Sequence, residues 1–315
     1  MFETILRAIQ DHPVIILHRH QSPDGDALGS QIGLKHLILD NLPGKTVYMV
    51  GDPAGRYDFM ADCRMDEIPD AAFQNALSII LDTSGKSLIS DGRFALAHET
   101  ARIDHHLFVE QIARLEVTDS SYESCCGLVT EMALECGWKL SLLSAQSLYT
   151  GMVTDSGRFR YDSTSGRTFR LAAFLLSQPI DLNTLYRNLY ETDLDQVRLR
   201  GLYMQKIRRT AAGVAYIRTE KEELAALNAD AFTISRGMVG LMNDIRGVDV
   251  WVNFTETASG ILCELRSTSH NINAVAVKYG GGGHIKASGA TLKTWAEAQA
   301  MLSDLDQLLT QEANP

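Results

Sequence analysis

A chain of 315 residues, 45% hydrophobic and 22% charged, has the composition of an ordinary soluble globular protein, and it is longer than one core usually serves. Its net charge of −10 argues against a protein that coats long nucleic acid through a basic stripe, and no apolar run reaches the roughly 18 residues of a membrane span. Five cysteines, Cys63, Cys125, Cys126, Cys136 and Cys263, make neither a C-x-x-C pair nor a disulfide framework, which fits free thiols in a reducing compartment.

MFETILRAIQ opens the chain as an amphipathic helix with Phe2, Ile5, Leu6 and Ile9 on one side. Its early glutamate and missing basic n-region do not suit a signal peptide, so the expected location is cytoplasmic. Apolar, β-branched runs at 14–17, 47–50, 77–81 and 101–103 read as strands. Helical spacing covers 27–40, 127–136, 143–154, 165–177 and 182–190. This alternation predicts an α/β fold, with a mostly parallel sheet flanked by helices in an N-terminal domain over 1–190. DLDQVRLRGLYMQKIRRT, ending in a basic cluster, predicts a helical linker within 191–212. From 213 to 315 a smaller α/β domain is expected. It has strand-like VAYIRT, VDVWVNFT and ILCELRS, a helix at 272–279, a run of four glycines, another strand-like piece and a closing helix at 294–310.

Acidic and imidazole side chains follow the apolar runs of the first half. HRHQSPDGDALGS carries His20, Asp24 and Asp26 after the first run, and LDTS carries Asp82 after the third. Asp104, His105 and His106 follow ARI, and the helix at 143–154 delivers Asp155 in TDSGRF. In open parallel sheets such loops collect at the carboxyl ends of the strands. Carboxylates brought together without countercharge repel, and some would have to take up protons. Two hard divalent cations relieve that, and carboxylate with imidazole suits manganese or magnesium better than structural zinc. Singly each element has a plainer reading: a D-x-D as a turn or cap, Asp82 as an N-cap, a His-His pair as surface or core. Arg19, Arg158 and Arg160 flank these motifs and could neutralise phosphate charge, solvated loop residues being the plainer reading, and Phe159 and Tyr161 could stack on a base, core packing being the plainer one.

YGGGGHIKASGA, at 279–290, removes every β-carbon along a stretch where backbone N–H groups can approach a phosphate. His284 and Lys286 add a donor and a charge. The plain alternative is a flexible turn between a helix and a strand.

SPDGDALGS, LDTS, IDHH and TDSGRF resemble the four motifs of the DHH phosphoesterase superfamily, and LRS, Asn273 and GGGGH resemble its DHH-associated C-terminal domain. LYRNLYE and VRLRG are similar to the bacterial branch of nanoRNases and 3′-phosphoadenosine 5′-phosphate (pAp) phosphatases. The resemblance implies a pair of manganese ions per chain, replaceable by magnesium or cobalt. It makes His20, Asp24, Asp26, Asp82, His105 and Asp155 the ligands, with Asp82 bridging. Asp104 would orient a ligand histidine and His106 would face the substrate phosphate, so Asp82, Asp104 and His106 are the implied catalytic residues. Arg266, Ser267, Gly282, Gly283 and His284 would bind the phosphate or the 3′ nucleotide, in a cleft between domains that limits substrate length. Thr268 and Ile285 depart from the basic residue and the proline common in relatives. The implied substrates are di- to pentanucleotide RNA and pAp, yielding nucleoside monophosphates. Cleavage of pApA or cyclic di-AMP is the alternative, and exopolyphosphatase or pyrophosphatase activity a lesser one. A homodimer is also implied, with no membrane association.

Overall fold

In the computed structural model, which describes residues 1–227 and 229–312, the chain divides into Met1–Glu191 and a second unit from Thr192 onward. The first unit opens with α1 (Glu3–Asp11), which buries Ile5 and Ile9 beside Phe2. β1 (Val14–His18), α2 (Gly25–Asn41), β2 (Thr46–Met49), β3 (Ala76–Leu81), β4 (Glu99–Asp104) and β5 (Leu115–Thr118) follow. α3 (Cys125–Glu135), α4 (Leu142–Asp155), α5 (Gly166–Leu175) and α6 (Leu182–Tyr190) complete the unit. The strands pair in the order β2-β1-β3-β4-β5, each neighbouring pair parallel. β3 is buried at every position, as expected of a strand covered on both faces.

From β1 the chain goes to β2 on one side and then to β3 on the other. The winding reverses between β1 and β3, and loops leaving such a switch point diverge to open a crevice. His20 follows β1 and Asp82 follows β3, so the topology places both at that crevice.

Helix packing brings the remaining acids there. Gly25, Gly29 and Gly33 form a row along α2 into which α4 packs, and a β-carbon on Gly29 would come within 2.5 Å of the Ser147 carbonyl. Glycine is required for that approach. It sets the start of α2, with Asp24 and Asp26, against the end of α4, with Asp155. The Gln31 amide donates to the carbonyls of Leu17 (2.7 Å) and Val50 (3.0 Å), fixing α2 over the ends of β1 and β2.

The second unit comprises α7 (Leu194–Lys206), β6 (Arg208–Arg209), β7 (Ala215–Thr219), α8 (Lys221–Leu227), α9 (Ala231–Val239), β8 (Val250–Thr257), β9 (Gly260–Ser267), α10 (Asn273–Lys278), β10 (Gly282–His284), β11 (Ala287–Leu292) and α11 (Trp295–Glu312). Its sheet runs β10-β11-β9-β8-β7-β6, with β7 and β8 parallel and the other neighbours antiparallel. Alternation along β8 feeds two cores. Val250, Val252 and Phe254 join Met301 and Leu305 of α11, while Trp251 joins Tyr203 of α7 and Met238 of α9. The helix read as a linker is therefore built into this unit through Tyr203, which is fully buried. All five cysteines are free, and no helix among the described residues is long and apolar enough to cross a membrane.

Candidate metal centre

Asp24 is the N-cap of α2 and accepts the N–H groups of Asp26 and Ala27 at 3.0 Å each. Asp26 is fully buried, and its oxygens accept the Cys125 and Cys126 N–H groups at 2.7 and 2.8 Å. First-turn N–H groups have no partner within their helix, and the helix dipole is positive there, so the start of α3 is a favourable seat for a carboxylate. Asp82 follows β3 with φ +49°, a left-handed backbone uncommon outside glycine. Asp155 is the last residue of α4.

These side chains meet. His20 Nε2 lies 3.8 Å from Asp24 Oδ1 and 3.5 Å from Asp82 Oδ2. His105 Nε2 lies 3.4 Å from Asp82 Oδ1, 3.7 Å from Asp26 Oδ2 and 3.3 Å from Asp155 Oδ2. Asp82 thus turns one oxygen toward each histidine. The ligand atoms of His20, Asp24 and Asp82, and those of Asp26, His105 and Asp155, lie within 4.8 Å of one another in each group. Such separations exceed ordinary N–H···O hydrogen bonds. They suit atoms that share a hard cation, each bonded at roughly 2.0–2.6 Å.

The electrostatics agree. Burial, reinforced by the charges of Asp82 and Asp155, holds the Asp26 carboxyl well above its ordinary range. Burial also pushes Asp155 up to about 7, His105 opposing and Asp82 and Asp24 adding. On Asp82 burial acts the same way, but the facing His105 and His20 imidazoles outweigh it and hold the carboxyl low. Burial would lower the imidazoles, yet Asp24 and Asp82 push His20 up to about 11. Asp82, Asp26 and Asp155 likewise push His105 up to about 10. Protons gather where countercharge is needed.

Asp104 ends β4 and is fully buried, its Oδ2 paired with Arg102 and its Oδ1 2.7 Å from His106 Nδ1. Arg102, also fully buried, lies 3.8 Å from Glu116 and donates to the Glu110 carbonyl at 3.1 Å. The sequence reading has Asp104 orienting a ligand histidine. The structure pairs it with His106, and the His105 Nδ1 instead lies 3.4 Å from the Tyr122 carbonyl. With Nδ1 committed to Asp104, Nε2 is the ring nitrogen of His106 available to a substrate. Arg19, read as solvated, is fully buried and donates to Gln31 (2.9 Å), to the His20 carbonyl (3.2 Å) and to the Asp52 carbonyl. It fixes the backbone that carries His20. Phe159 packs against the core as expected, but Tyr161 is exposed.

In the second unit Arg266 of β9, Ala287 of β11 and His284 of β10 form one cross-strand row. Arg266 and His284 stand two strands apart, about 10 Å, and Arg266 pairs with Glu264 at 3.1 Å. The glycines have mixed causes. A β-carbon on Gly281 would run into the Gly289 carbonyl, and one on Gly283 would lie 2.6 Å from that of Ala287, whereas Gly282 faces open space. A cavity of about 360 Å³ is lined by Arg236, Glu264, Arg266, Gly282, Gly283 and Ser288, among others. Ser267 is not part of that lining. It is buried, and its hydroxyl donates to the His270 carbonyl (2.6 Å) and accepts the His270 N–H (3.0 Å), a turn-forming role. Arg236, on α9, carries no motif that would single it out. In the first unit a larger cavity, about 1360 Å³, is lined by Asp52, Arg64, Asp66, Asp91 and Arg93 among others, and holds none of the convergent ligands.

Residues 14–152 match the DHH family, N-terminal domain, and residues 226–311 match the DHHA1 domain. The chain is 35% identical over 307 residues to the bifunctional oligoribonuclease and PAP phosphatase NrnA of Bacillus subtilis, covering 96% of this chain and 97% of that protein. It is 36% identical over 310 residues to the probable bifunctional oligoribonuclease and PAP phosphatase NrnA of Streptococcus mutans, covering 98% and 99%. The crystal structure of an exopolyphosphatase-related protein from Bacteroides fragilis superimposes with a TM-score of 0.86 at 27% identity, covering 98% of this chain and 97% of the other.

Proposed function

The chain belongs to the DHH family, and on that footing we propose that it hydrolyses di- to pentanucleotide RNA to nucleoside monophosphates and removes the 3′-phosphate of pAp. The observation that carries this reading is the convergence of His20, Asp24, Asp26, Asp82, His105 and Asp155 into two adjoining groups. The names of the relatives from Bacillus subtilis and Streptococcus mutans support the pairing of the two substrates.

The donor set fits hard cations. It holds carboxylate and imidazole, and the buried Asp82 Oδ1 has no hydrogen-bond partner among the described residues. The neighbouring Cys125 and Cys126 thiols are pushed well up by burial and then by the charge of Asp26, so they offer no thiolate. We assign the site to a pair of manganese ions, with magnesium or cobalt as substitutes. His20, Asp24 and Asp82 would hold one, and Asp82, Asp26, His105 and Asp155 the other. When bound, such ions polarise a phosphoryl oxygen and acidify the attacking water.

The protein's own groups complete the chemistry. The hydrogen bond to Asp104 raises the His106 imidazole, opposed by burial and supported by the charge of Asp82. That shift favours the protonated ring, which can donate from Nε2 to a non-bridging oxygen or to the leaving oxygen. General-acid help of this kind is worth about 10²–10⁴ in rate. In the second unit Arg266, His284 and the Gly282 and Gly283 backbone bind a phosphate of the nucleotide.

Chromatographic product analysis on RNA dimers to pentamers, pAp, pApA and cyclic di-AMP, with and without manganese, tests the reading. Manganese-dependent release of nucleoside monophosphates is expected, and Asp82→Ala and His105→Ala should each fall to background. Highest kcat/KM on pApA or cyclic di-AMP would move the assignment to a second-messenger phosphodiesterase. Turnover of polyphosphate or pyrophosphate alone would overturn it.

A further inference from the structure

Along β9 the side chains of Leu262, Glu264 and Arg266 point away from the core that takes Ile261, Cys263 and Leu265. Their cross-strand neighbours are small: Gly289 stands beside Glu264, Ala287 beside Arg266, and Gly282 beside Gly289. α9 borders the same face. The Asn253 amide holds it over β8 by donating to the carbonyls of Ile234 (2.9 Å) and Ser235 (2.8 Å). A trough with a glycine floor is left beside α9. It consists of two cavities, about 370 and 360 Å³, that share Arg236, Glu264 and Gly289 as walls.

The two ends of the trough differ in chemistry. At one end Glu264 is the only carboxylate among the described residues that pairs with two arginines. Its Oε1 lies 3.4 Å from Arg236 Nε and its Oε2 lies 3.1 Å from Arg266 Nη1. One positive charge is left uncompensated there, and one acid holds two guanidinium forks at a fixed spacing, an arrangement suited to a phosphate. At the other end Phe232, one helical turn before Arg236, is 57% exposed and lines the cavity with Leu262 and Ala290. The Arg236 guanidinium lies 4.6 Å over one face of its ring. Ser235 lines this end too. It is buried, and its hydroxyl has no hydrogen-bond partner among the described residues. An orphaned hydroxyl in a cavity wall is one that a ligand can satisfy. Arg266 and Leu262 are four residues apart on one strand, about 13 Å, which gives the trough room for a phosphate and a base together.

We propose that this trough holds a whole nucleoside monophosphate unit of the substrate. The phosphate lies between Arg236 and Arg266, the base lies over the glycine floor against Phe232 and Leu262, and the Ser235 hydroxyl bonds a polar atom of the nucleoside. The inference deepens the phosphoesterase reading and rests on it: the second unit recognises the base as well as a phosphate, through Arg236, Phe232 and Ser235, which no motif marks. Stacking accepts every base, since each has a π face, so the trough selects nucleotides without selecting sequence.

The test is titration calorimetry of AMP and of ribose 5-phosphate on the full chain in EDTA, for the wild type, Phe232→Ala, Arg236→Ala and Arg236→Lys. Both side chains are exposed, so neither truncation opens a core. The wild type should bind AMP at least about five-fold more tightly than ribose 5-phosphate, the least that a stacked base contributes. Phe232→Ala should erase that ratio while changing ribose 5-phosphate far less. Arg236→Ala should weaken both ligands about ten-fold, the worth of a charge-assisted contact. Arg236→Lys, which keeps the charge without the fork, should fall between. An unchanged ratio in Phe232→Ala, unchanged affinities in Arg236→Ala, or a wild type that does not bind AMP would overturn the subsite. Wild-type turnover of pAp with manganese checks the phosphoesterase reading separately. Turnover alongside failed binding would leave that reading standing, and absent turnover would remove it, and with it the trough as a substrate site.

Discussion

Asp104 divides its carboxylate between a buried arginine and an exposed imidazole, and that division sets what His106 can do. Asp104→Asn keeps the shape but removes the charge that raises His106. The expected result is a fall in kcat of about 10–100-fold, the usual cost of losing an orienting partner, with KM little changed. Because the carboxylate raises the imidazole pKa, its loss lowers it. The alkaline limb of the pH–rate profile should therefore move to lower pH, and kcat measured across pH checks this. An unmoved limb would take the general-acid role away from His106. The convergent acidic and imidazole side chains were legible in the sequence because each sits just past an apolar run, where a parallel sheet delivers its loops. Arg19, Gln31 and Arg102 were not. Their meaning depends on partners far along the chain, such as Asp52 for Arg19 and Glu116 for Arg102, and no local spacing encodes those pairings. Ser267 misled for the opposite reason. It sits beside Arg266 in LRS, but alternation along β9 buries it.

At the scale of elements, the centre depends on how closely α2 can lie on α4. Gly29 meets the Ser147 backbone carbonyl, which cannot swing away, whereas Gly33 meets only the flexible Leu148 side chain. Gly29→Ala should cost about 1–3 kcal/mol of stability, as overpacking does, and should weaken manganese binding by prising Asp24 and Asp26 from Asp155. Gly33→Ala, two turns from Asp24, should affect binding less. Thermal melts with and without manganese measure both effects, and equal loss of metal affinity in the two variants would refute the wedge. The sequence signalled the sheet strands whose apolar runs are continuous, such as β3. It left β5 unassigned, since LEVT buries only Val117. It also missed α9. AFTISRGMV is rich in β-branched residues and carries Gly237, a poor helix former by propensity. The helix forms because the Asp230 carboxylate caps it through the Thr233 N–H (2.7 Å) and because Ile234 and Met238 bury against the sheet. Tertiary context overrode local preference there. α7 misled in a similar way, its charged surface suggesting a free connector while Tyr203, with Leu199 beside it, anchors it to the core.

For the whole molecule, a chain of net charge −10 that buries several acids in one place is held together by whatever positive charge reaches them. In the metal-free protein that charge comes from protons. The folded pKa of Asp155, about 7, lies above its unfolded value, so the stabilisation from its protonation is complete near pH 4 and fades as pH rises through about 7; Asp26, held well above its ordinary range, acts in the same direction. His20 and His105 act in the same direction. Raised to about 11 and about 10, they stabilise fully below about pH 6.5, and that contribution fades as pH rises toward those values. Asp82, held low, changes only in acid and does not oppose this trend between about pH 5 and 8. The metal-free protein should therefore melt at a lower temperature at about pH 8 than at about pH 5 from these groups. Manganese bound there as proposed would replace the protons, and at a free concentration of 100 times Kd it would add about 2.7 kcal/mol. Since below about pH 7 it must first displace the Asp155 proton, its affinity weakens in acid. Thermal melts with and without manganese should show a metal-induced rise in Tm that is larger at pH 8 than at pH 5. An equal or larger rise at pH 5 would mean that the buried carboxylates are not where the cations bind.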